Sequence, residues 1–537
     1  MEKKNGLPSE KSPNSMLFPL AMAQFIASYD SSSMNVAISN IVQDLHTTVT
    51  GVQTAITIFT LTMAALMIPG SKLSDIAGRK ICFVVGIMIY GTGALITSLS
   101  PSLGFMLLGW SLLEGIGSAL MIPPIYIITT VSFPDIKSRA RAFALISAMA
   151  GMGSASGPLI GGIITSTITW KASFASEVII CIIILSLSSR IIESRREGPK
   201  SKLDIFGTIL SAAGLVSIVL GLLQAGNYGW LRSRKNFYIG NTLILEQGSI
   251  SPVILFAGAG VIFLIWFYFH IRSMERRKKE PLLSTKLFHN RAADLGLVTQ
   301  NVQWLIMIGT FFIISVYLQV SREISAIETG IVLTPATAGL LIASSRAGTL
   351  ARKHPQRSII ISGFVVTITG IILNLLLVRV DRSLLYFVPG LFLIGAGVGL
   401  MLTASVNVVQ SSVPERDQGE ISGLSRSVSN LGSSLGTAVA GAVLISSLIS
   451  GISTLTDDNT VLNTSQKEQI KAAASKDITA LSDTQVESAL KGQPLDVVEA
   501  VVQINAEARN RALARAQVSI ALIGFIGLFA AVMLPRR

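Results

Sequence analysis

Three acidic residues lie where acids are rare: Asp30, Glu114 and Glu177 each interrupt a long apolar stretch. An ionised carboxylate at the centre of a bilayer costs about 3 kcal/mol or more, so such a residue faces a polar space or a partner rather than lipid. Low-dielectric surroundings favour the protonated carboxyl, which can then trade its proton for a cation. Asp30 stands in Y-D-S-S-S-M-N-V-A-I-S-N-I and admits two readings: a functional acid on a wet cavity, or a helix–helix hydrogen bond through Ser31–Ser33. Glu114, in S-L-L-E-G, is either a second protonatable group in partnership with Asp30 or an acid held neutral by Ser111 or Ser118. Glu177, in W-K-A-S-F-A-S-E, is expected in the outer half of its span, open to the external vestibule. Asn35, Asn301, Gln303 and Asn407 are candidates for cavity lining, with interhelical hydrogen bonding as the alternative.

Other chemistries find no support. No Gly-Lys dipeptide occurs, so there is no P-loop lysine motif for nucleotide phosphates. Cys82 and Cys181 sit inside apolar spans, and His46, His270, His289 and His354 are scattered, so no metal-ligand spacing exists. No nucleophile–base constellation is visible. We expect no cofactor, no metal and no enzymatic activity.

The elements that position these residues are membrane-spanning helices. Of the 537 residues 50% are hydrophobic and only 14% charged; a soluble chain is roughly a quarter charged. Mean hydropathy is +0.61. Apolar runs long enough to cross a bilayer fall at about 17–40, 51–71, 80–99, 103–130, 140–165, 171–191, 204–225, 251–271, 292–318, 328–350, 358–378, 384–410, 421–448 and 516–535. The fold class is therefore an all-α polytopic membrane protein with fourteen spans. The net charge of +13 needs no nucleic acid: 29 of the 43 Lys and Arg fall on segments assigned to the cytoplasm, seven on short external loops and seven on one long external loop. By the positive-inside rule both termini are cytoplasmic.

Polar linkers at Glu193–Lys202 and Arg272–Arg291 divide the chain into a six-helix half (1–200), an inserted two-helix segment (201–290) and a second six-helix half (291–537). Gly115-Ile-Gly117-Ser-Ala-Leu-Met121 is similar to Gly395-Ala-Gly397-Val-Gly-Leu-Met401 at an offset of 280, and one residue less aligns Gly153, Gly157 and Gly162 with Gly432, Gly436 and Gly441. Residues 237–245 are read as a β-hairpin. The long external segment 450–515 is expected to hold short amphipathic helices, one of them capped by Ser465 with Glu468, and is either a solvated cap or a lid.

Gly70 to Lys80 reads G-S-K-L-S-D-I-A-G-R-K and is taken as a short basic turn, with Asp75 capping a helix start. It resembles the signature loop of the major facilitator superfamily, G-x-L-x-D-x-x-G-R-K: Leu73, Asp75, Gly78, Arg79 and Lys80 match, and Ser71 replaces the first glycine. The fifth span, A-G-M-G-S-A-S-G-P-L-I-G-G, places small residues four apart around Gly153, Gly157, Pro158, Gly161 and Gly162. It is similar to the antiporter motif G-x-x-x-G-P-x-x-G-G. The stretch around Asp30 resembles L-D-x-T-I-V-N-V-A-L-P-x-I of the fourteen-span drug/proton antiporters, with Ser39 in place of proline, so the outer end of that helix is expected to be straighter.

The resemblance implies a transporter built from two six-helix halves, with Leu73–Lys80 as a cytoplasmic gate and proton-coupled efflux of lipophilic, cationic drugs at a cell membrane by a monomer. The chain departs from it where exporters show R-x-x-Q-G, since Ser111 and Glu114 replace the arginine and glutamine, and where Glu177 replaces an asparagine. A different cargo (amino acid, lipid or organic anion) or a transport-incompetent sensor are the alternatives.

Overall fold

The computed structural model describes residues 14–133, 136–191, 202–239, 242–351, 353–377, 383–414, 418–476 and 483–535. It is predominantly helical: α1 (Asn14–Ser33), α2 (Ile38–Asp44), α3 (Val49–Ala77), α4 (Arg79–Ser98), α5 (Leu103–Met106), α6 (Gly115–Ser132), α7 (Ile136–Thr167), α8 (Trp170–Leu187), α9 (Ile205–Tyr228), α10 (Pro252–Arg276), α11 (Arg291–Val316), α12 (Ala326–Leu350), α13 (Gln356–Leu377), α14 (Phe387–Ser411), α15 (Gln418–Asp458), α16 (Thr464–Lys476), α17 (Asp483–Ala489) and α18 (Leu495–Met533). Helix starts are chemically marked: the side chains of Thr48, Asp204, Ser251, Asn290 and Ser325 each accept an N–H from the first turn.

Among the described residues twelve helices are long and apolar enough to cross a membrane. Helices α1 and α7 occupy the expected first and fifth spans and pack along each other. Of the apolar window of α11, 89% is buried, against 22% for α10, so α11 runs through the centre and α10 along the rim. Ile262, Trp266 and Phe269 on α10, with Phe525, Ile526 and Phe529 on α18, form part of an exposed apolar belt suited to lipid.

Close helix crossings repeat in two places. A Cβ on Gly93 would lie 2.5 Å from the Gly109 carbonyl oxygen, and one on Gly117 would lie 2.7 Å from that of Gly86, which brings α4 against the fourth crossing. The pair α13–α14 is built the same way: a Cβ on Gly370 would lie 2.7 Å from the Gly390 oxygen, and one on Gly397 would lie 2.5 Å from the Gly363 oxygen.

At one end of the bundle, here termed the cap face, α15 and α18 overshoot the bilayer. Their 41 and 39 residues make about 60 Å each at 1.5 Å per residue, twice the hydrocarbon thickness of about 30 Å. Their projecting ends and α16 and α17 enclose a small core of Leu462, Val486, Val497, Val501 and Ile504. The segment 450–515 thus joins continued membrane helix at its two ends, 450–458 and 495–515, to the short helices α16 and α17 between them. The cap of α16 is Asn463, not Ser465: Asn463 Oδ1 accepts from Gln466 N–H at 2.9 Å while Gln466 Oε1 accepts from Asn463 N–H at 3.0 Å. The expected strands are present as β1 (Phe237–Ile239) and β2 (Thr242–Leu245), paired antiparallel.

Candidate functional site: a buried acid cluster

The three acids expected to carry chemistry converge. Asp30 on α1, Glu114 on the fourth crossing and Glu177 on α8 are each 0% exposed. One oxygen of each lies within 4.8 Å of the others. The crossing that presents Glu114 is π-helical over Leu107–Glu114, a wide turn common at functional sites, and it aims Trp110 and Glu114 into the same space. The Trp110 indole N–H donates to both oxygens of Asp30, at 2.9 and 3.0 Å. The Tyr90 hydroxyl donates to Glu177 Oε2 at 2.8 Å. Both oxygens of Glu114, Oε1 of Glu177 and the Ser118 hydroxyl are buried without a hydrogen-bond partner.

The surroundings are aromatic and dry. Phe59 stacks on Trp110 with ring centres 5.3 Å apart, and Phe174 meets Trp110 edge-on at 6.0 Å. Trp170 closes the cluster towards the cap face by packing on Phe174, and its indole N–H donates to Asp44 Oδ2 at 3.0 Å. Lys171 pairs with the same oxygen at 2.8 Å, and that hydrogen bond holds the Asp44 carboxyl below its ordinary range. Among the described residues no cation pairs with Asp30, Glu114 or Glu177. One oxygen from each of the three carboxylates could touch a single metal ion. Three negative charges this close in a dry interior repel one another strongly, so the cluster is suited to holding protons.

Two expectations about these acids are corrected. Glu177 is not open to a vestibule, because Tyr90 and Phe174 enclose it. The serines beside the acids are committed elsewhere: Ser31, Ser32 and Ser33 donate to carbonyls of their own helix, and Ser111 donates to Ala55 O at 2.8 Å.

Near the cap face α1 breaks despite Ser39 standing where its relatives have proline. Met34–Val36 is a 3₁₀ turn and the helix resumes as α2. The cause is Gln319, whose Oε1 accepts from Ser39 N–H at 2.9 Å and whose Nε2 donates to Asn35 O at 3.0 Å, satisfying the backbone that the break frees. The same face is sealed by α7: a Cβ on Gly330 would lie 2.3 Å from Pro158 O, and one on Gly162 would lie 2.6 Å from Ala326 O. Gly153, Gly157 and Gly161 face α1, where a Cβ would lie 2.4 Å from Phe25 O, 1.9 Å from Ser32 Oγ and 2.8 Å from Ser33 Cβ respectively. Gln53 mirrors the seal, donating to the carbonyls of Thr437 and Ala438 at 3.2 and 3.3 Å.

The gate motif is a helix junction rather than a loop. Helix α3 runs through Leu73 and Asp75 to Ala77, Gly78 alone breaks the chain at φ +109°, and α4 starts at Arg79, followed by Lys80. Asp75 therefore lies in the last turn of α3 and does not cap a helix start. Arg79 approaches it at 3.7 Å, four residues on.

The amides divide. Asn35 is fully buried with its side-chain amide unpartnered. Asn301 donates to Val428 O at 3.0 Å and ties α11 to α15. Gln303 is fully buried and accepts from Ser405 at 2.8 Å, so it is not open lining; Asn301 is half-buried, and Asn407 is exposed on α14. Sequence reasoning missed Trp110, Tyr90, Gln319 and the pair Arg426–Tyr126. The available signals were an aromatic with a polar handle one helical turn from an acid, and Gln319 standing 280 residues after Ser39, at the offset of the repeat.

The comparisons agree with this architecture. A family model described as Major Facilitator Superfamily matches residues 20–437. The puromycin resistance protein pur8 of Streptomyces alboniger is 26% identical over 80% of this chain and 81% of its own length. The multidrug transporter protein MdtP of Bacillus subtilis is 26% identical over 79% and 74%. The tetracenomycin C resistance and export protein of Streptomyces glaucescens is 26% identical over 80% and 76%. A bacterial homologue of the human lysosomal transporter Spinster, solved facing inward and unoccupied, superposes with a TM-score of 0.62 at 15% identity, covering 98% of each chain. With a model that spans most of the sequence and a helical bundle of matching fold, the chain belongs to the major facilitator superfamily of membrane transporters.

Proposed function

We propose that the chain exports lipophilic drugs by alternating access, in exchange for protons carried by Asp30, Glu114 and Glu177. The observation that carries this reading is the convergence of three buried carboxyl groups from three different helices, with no cation paired to them among the described residues. The names of relatives at about a quarter identity, given for drug resistance and export, support the cargo class. In this reading α1 and α7 cross the bilayer with the twelve other helices, giving fourteen spans. The chain divides into halves at 1–200 and 291–537 around the pair α9–α10, and it works as a monomer in the cell membrane. The charge bias supports a reading with the cap face outside and both termini in the cytoplasm.

The cycle follows from what each contact can do. Contacts of Gln319, Gly330, Gly162 and Gln53 close the cap face and must part for cargo to leave. Asp30 lies five residues before Asn35, whose carbonyl Gln319 holds, so a change of charge in the cluster acts on the helix that carries the seal. Protonation lowers the repulsion among the acids and favours one packing of α1, the fourth crossing and α8; loss of a proton favours another. Leu73, Asp75, Gly78, Arg79 and Lys80 govern the opposite face, where Gly78 is the hinge.

The test is transport in proteoliposomes under an imposed pH gradient, with cationic, neutral and anionic lipophilic dyes. Wild type should accumulate at least one class only when the gradient is present, and Asp30→Asn and Glu114→Gln should bind that dye without accumulating it. Gradient-driven accumulation by both variants would sink the proton assignment.

A further inference from the structure

Arg426 is a charge within a membrane helix that the acid cluster does not use. It stands eight residues from the start of α15, about 12 Å along the helix. Its guanidinium carbon lies 4.6 Å from the centre of the Tyr126 ring on α6, and its Nη2 donates to the Tyr126 hydroxyl. That hydroxyl donates to Gln24 Oε1 at 3.2 Å, and Gln24 Nε2 donates to Ser28 at 3.3 Å, so the chain of polar contacts ends on α1 two residues from Asp30. Among the described residues no carboxylate pairs with Arg426. An arginine within a membrane helix marks a site that needs its charge, and a cation–π contact offsets only part of its desolvation.

Access separates the two sets of charges. Arg426 and Tyr126 are half-buried, and so is Asn430, one turn further along the same face of α15, whose amide makes no hydrogen bond among the described residues. The acids are sealed behind Trp110 and Phe174. Between α6 and α15 there thus stand a positive charge, an aromatic ring and a spare amide, and no carboxylate pairs with that charge among the described residues. This runs against the cationic cargo expected from the resemblance.

We propose that Arg426 and Tyr126 form a recognition subsite for a lipophilic aromatic cargo bearing an anionic group, a carboxylate, sulfonate or phenolate. The guanidinium pairs with the anion, the ring packs on the Tyr126 face, and Asn430 supplies a further donor. The anion competes for the Nη2 donor now given to Tyr126, the hydroxyl that also holds Gln24 on α1. That the occupant is cargo rests on the export reading above.

The test is equilibrium binding, without a pH gradient, of pyrenebutyrate, pyrenebutanol and pyrenemethylammonium to the full chain in phosphatidylcholine nanodiscs. Wild type should bind pyrenebutyrate at least about tenfold more tightly than pyrenemethylammonium, one charge-assisted pair being worth that much. Arg426→Gln should erase the preference and leave pyrenebutanol bound as before, while Arg426→Lys should keep part of it. An unchanged preference in Arg426→Gln, a preference for the ammonium, or no binding of pyrenebutyrate by wild type overturns the proposal. A parallel shift of all three probes in Arg426→Gln makes Arg426 a latch between helices and also overturns it. Loss of pyrenebutyrate binding when phosphatidylglycerol is added assigns the subsite to a lipid headgroup instead. Binding needs no gradient, so failure here leaves proton coupling standing, and failure of the coupled transport assay leaves this preference standing.

Discussion

The crossing of α4 with the fourth span and the crossing of α13 with α14 are built to one plan and filled with different chemistry. A Cβ on Gly93 would meet Glu114 N at 2.9 Å and Glu114 Cγ at 2.8 Å; one on Gly370 would meet Ile394 N at 2.8 Å and Ile394 Cγ1 at 2.9 Å. Glu114 and Ile394 thus hold equivalent places, 280 residues apart. Next to them Tyr90 corresponds to Thr367, since each backbone nitrogen faces the glycine of the partner helix, Gly117 at 2.6 Å and Gly397 at 2.7 Å from where a Cβ would stand. The plan is satisfied by isoleucine and threonine in one copy. Packing therefore does not require a carboxyl at 114 or a phenol at 90, and both are there for another reason.

The comparison can be broken in order of size. Asp30→Asn should abolish gradient-driven export while the protein still folds, which transport and thermal unfolding measured side by side would check; gradient-driven export retained would remove Asp30 from the coupling group. Ile394→Glu, which copies the acid into the other crossing, should destabilise the protein by roughly 3–5 kcal/mol, because Thr367 stands where the first crossing has Tyr90; a neutral effect on the melting temperature would mean that the two crossings are equally polar. Gly93→Ala and Gly370→Ala should each cost about 1–3 kcal/mol by overpacking against backbone, and similarly, since the same atoms are met. A large cost at one and none at the other would contradict the shared plan.

The smallest effect lies outside the crossings, at Asp44, where Lys171 and Trp170 close the acid side of the molecule. Its carboxyl is held below the ordinary range by the Lys171 hydrogen bond. A depressed carboxyl stabilises the fold above its unfolded value of about 3.9 and loses that contribution as pH falls through the folded value. Asp44→Asn should lower the melting temperature slightly at neutral pH, and the difference should begin to shrink below about pH 4 and vanish only once the pH is below the folded value. A difference that persists at low pH would mean that the Asp44 charge is not what Trp170 and Lys171 engage.

Much of this was legible in the sequence. Apolar length sets the spans, glycines four apart mark the crossings, and acids in apolar runs stand out because lipid excludes them. What stayed hidden depends on helix rotation. Nothing in the letters says that Glu177 turns inward to Tyr90, that Trp110 reaches Asp30, or that Gln319 from a distant helix fills the break at Asn35 and Ser39. The junction at Gly78 was misread for a related reason: a polar run reads as a loop, yet Ser71 to Ala77 stay helical because α3 continues past the apolar segment. Asn301 and Gln303 were indistinguishable by type, and only their partners separate a helix tie from a buried amide pair.

The central claim is that the carboxyl at 114 handles protons, and Glu114→Ile tests it by giving one crossing the residue that its counterpart already tolerates. Purified wild type and variant would be compared by thermal melting and by proton release into weakly buffered detergent solution when a transported dye is added. The melting temperature should equal or exceed that of wild type, since an unpartnered buried carboxyl is removed, and proton release should be lost or reduced. Unchanged proton release from a fully folded Glu114→Ile protein would contradict it.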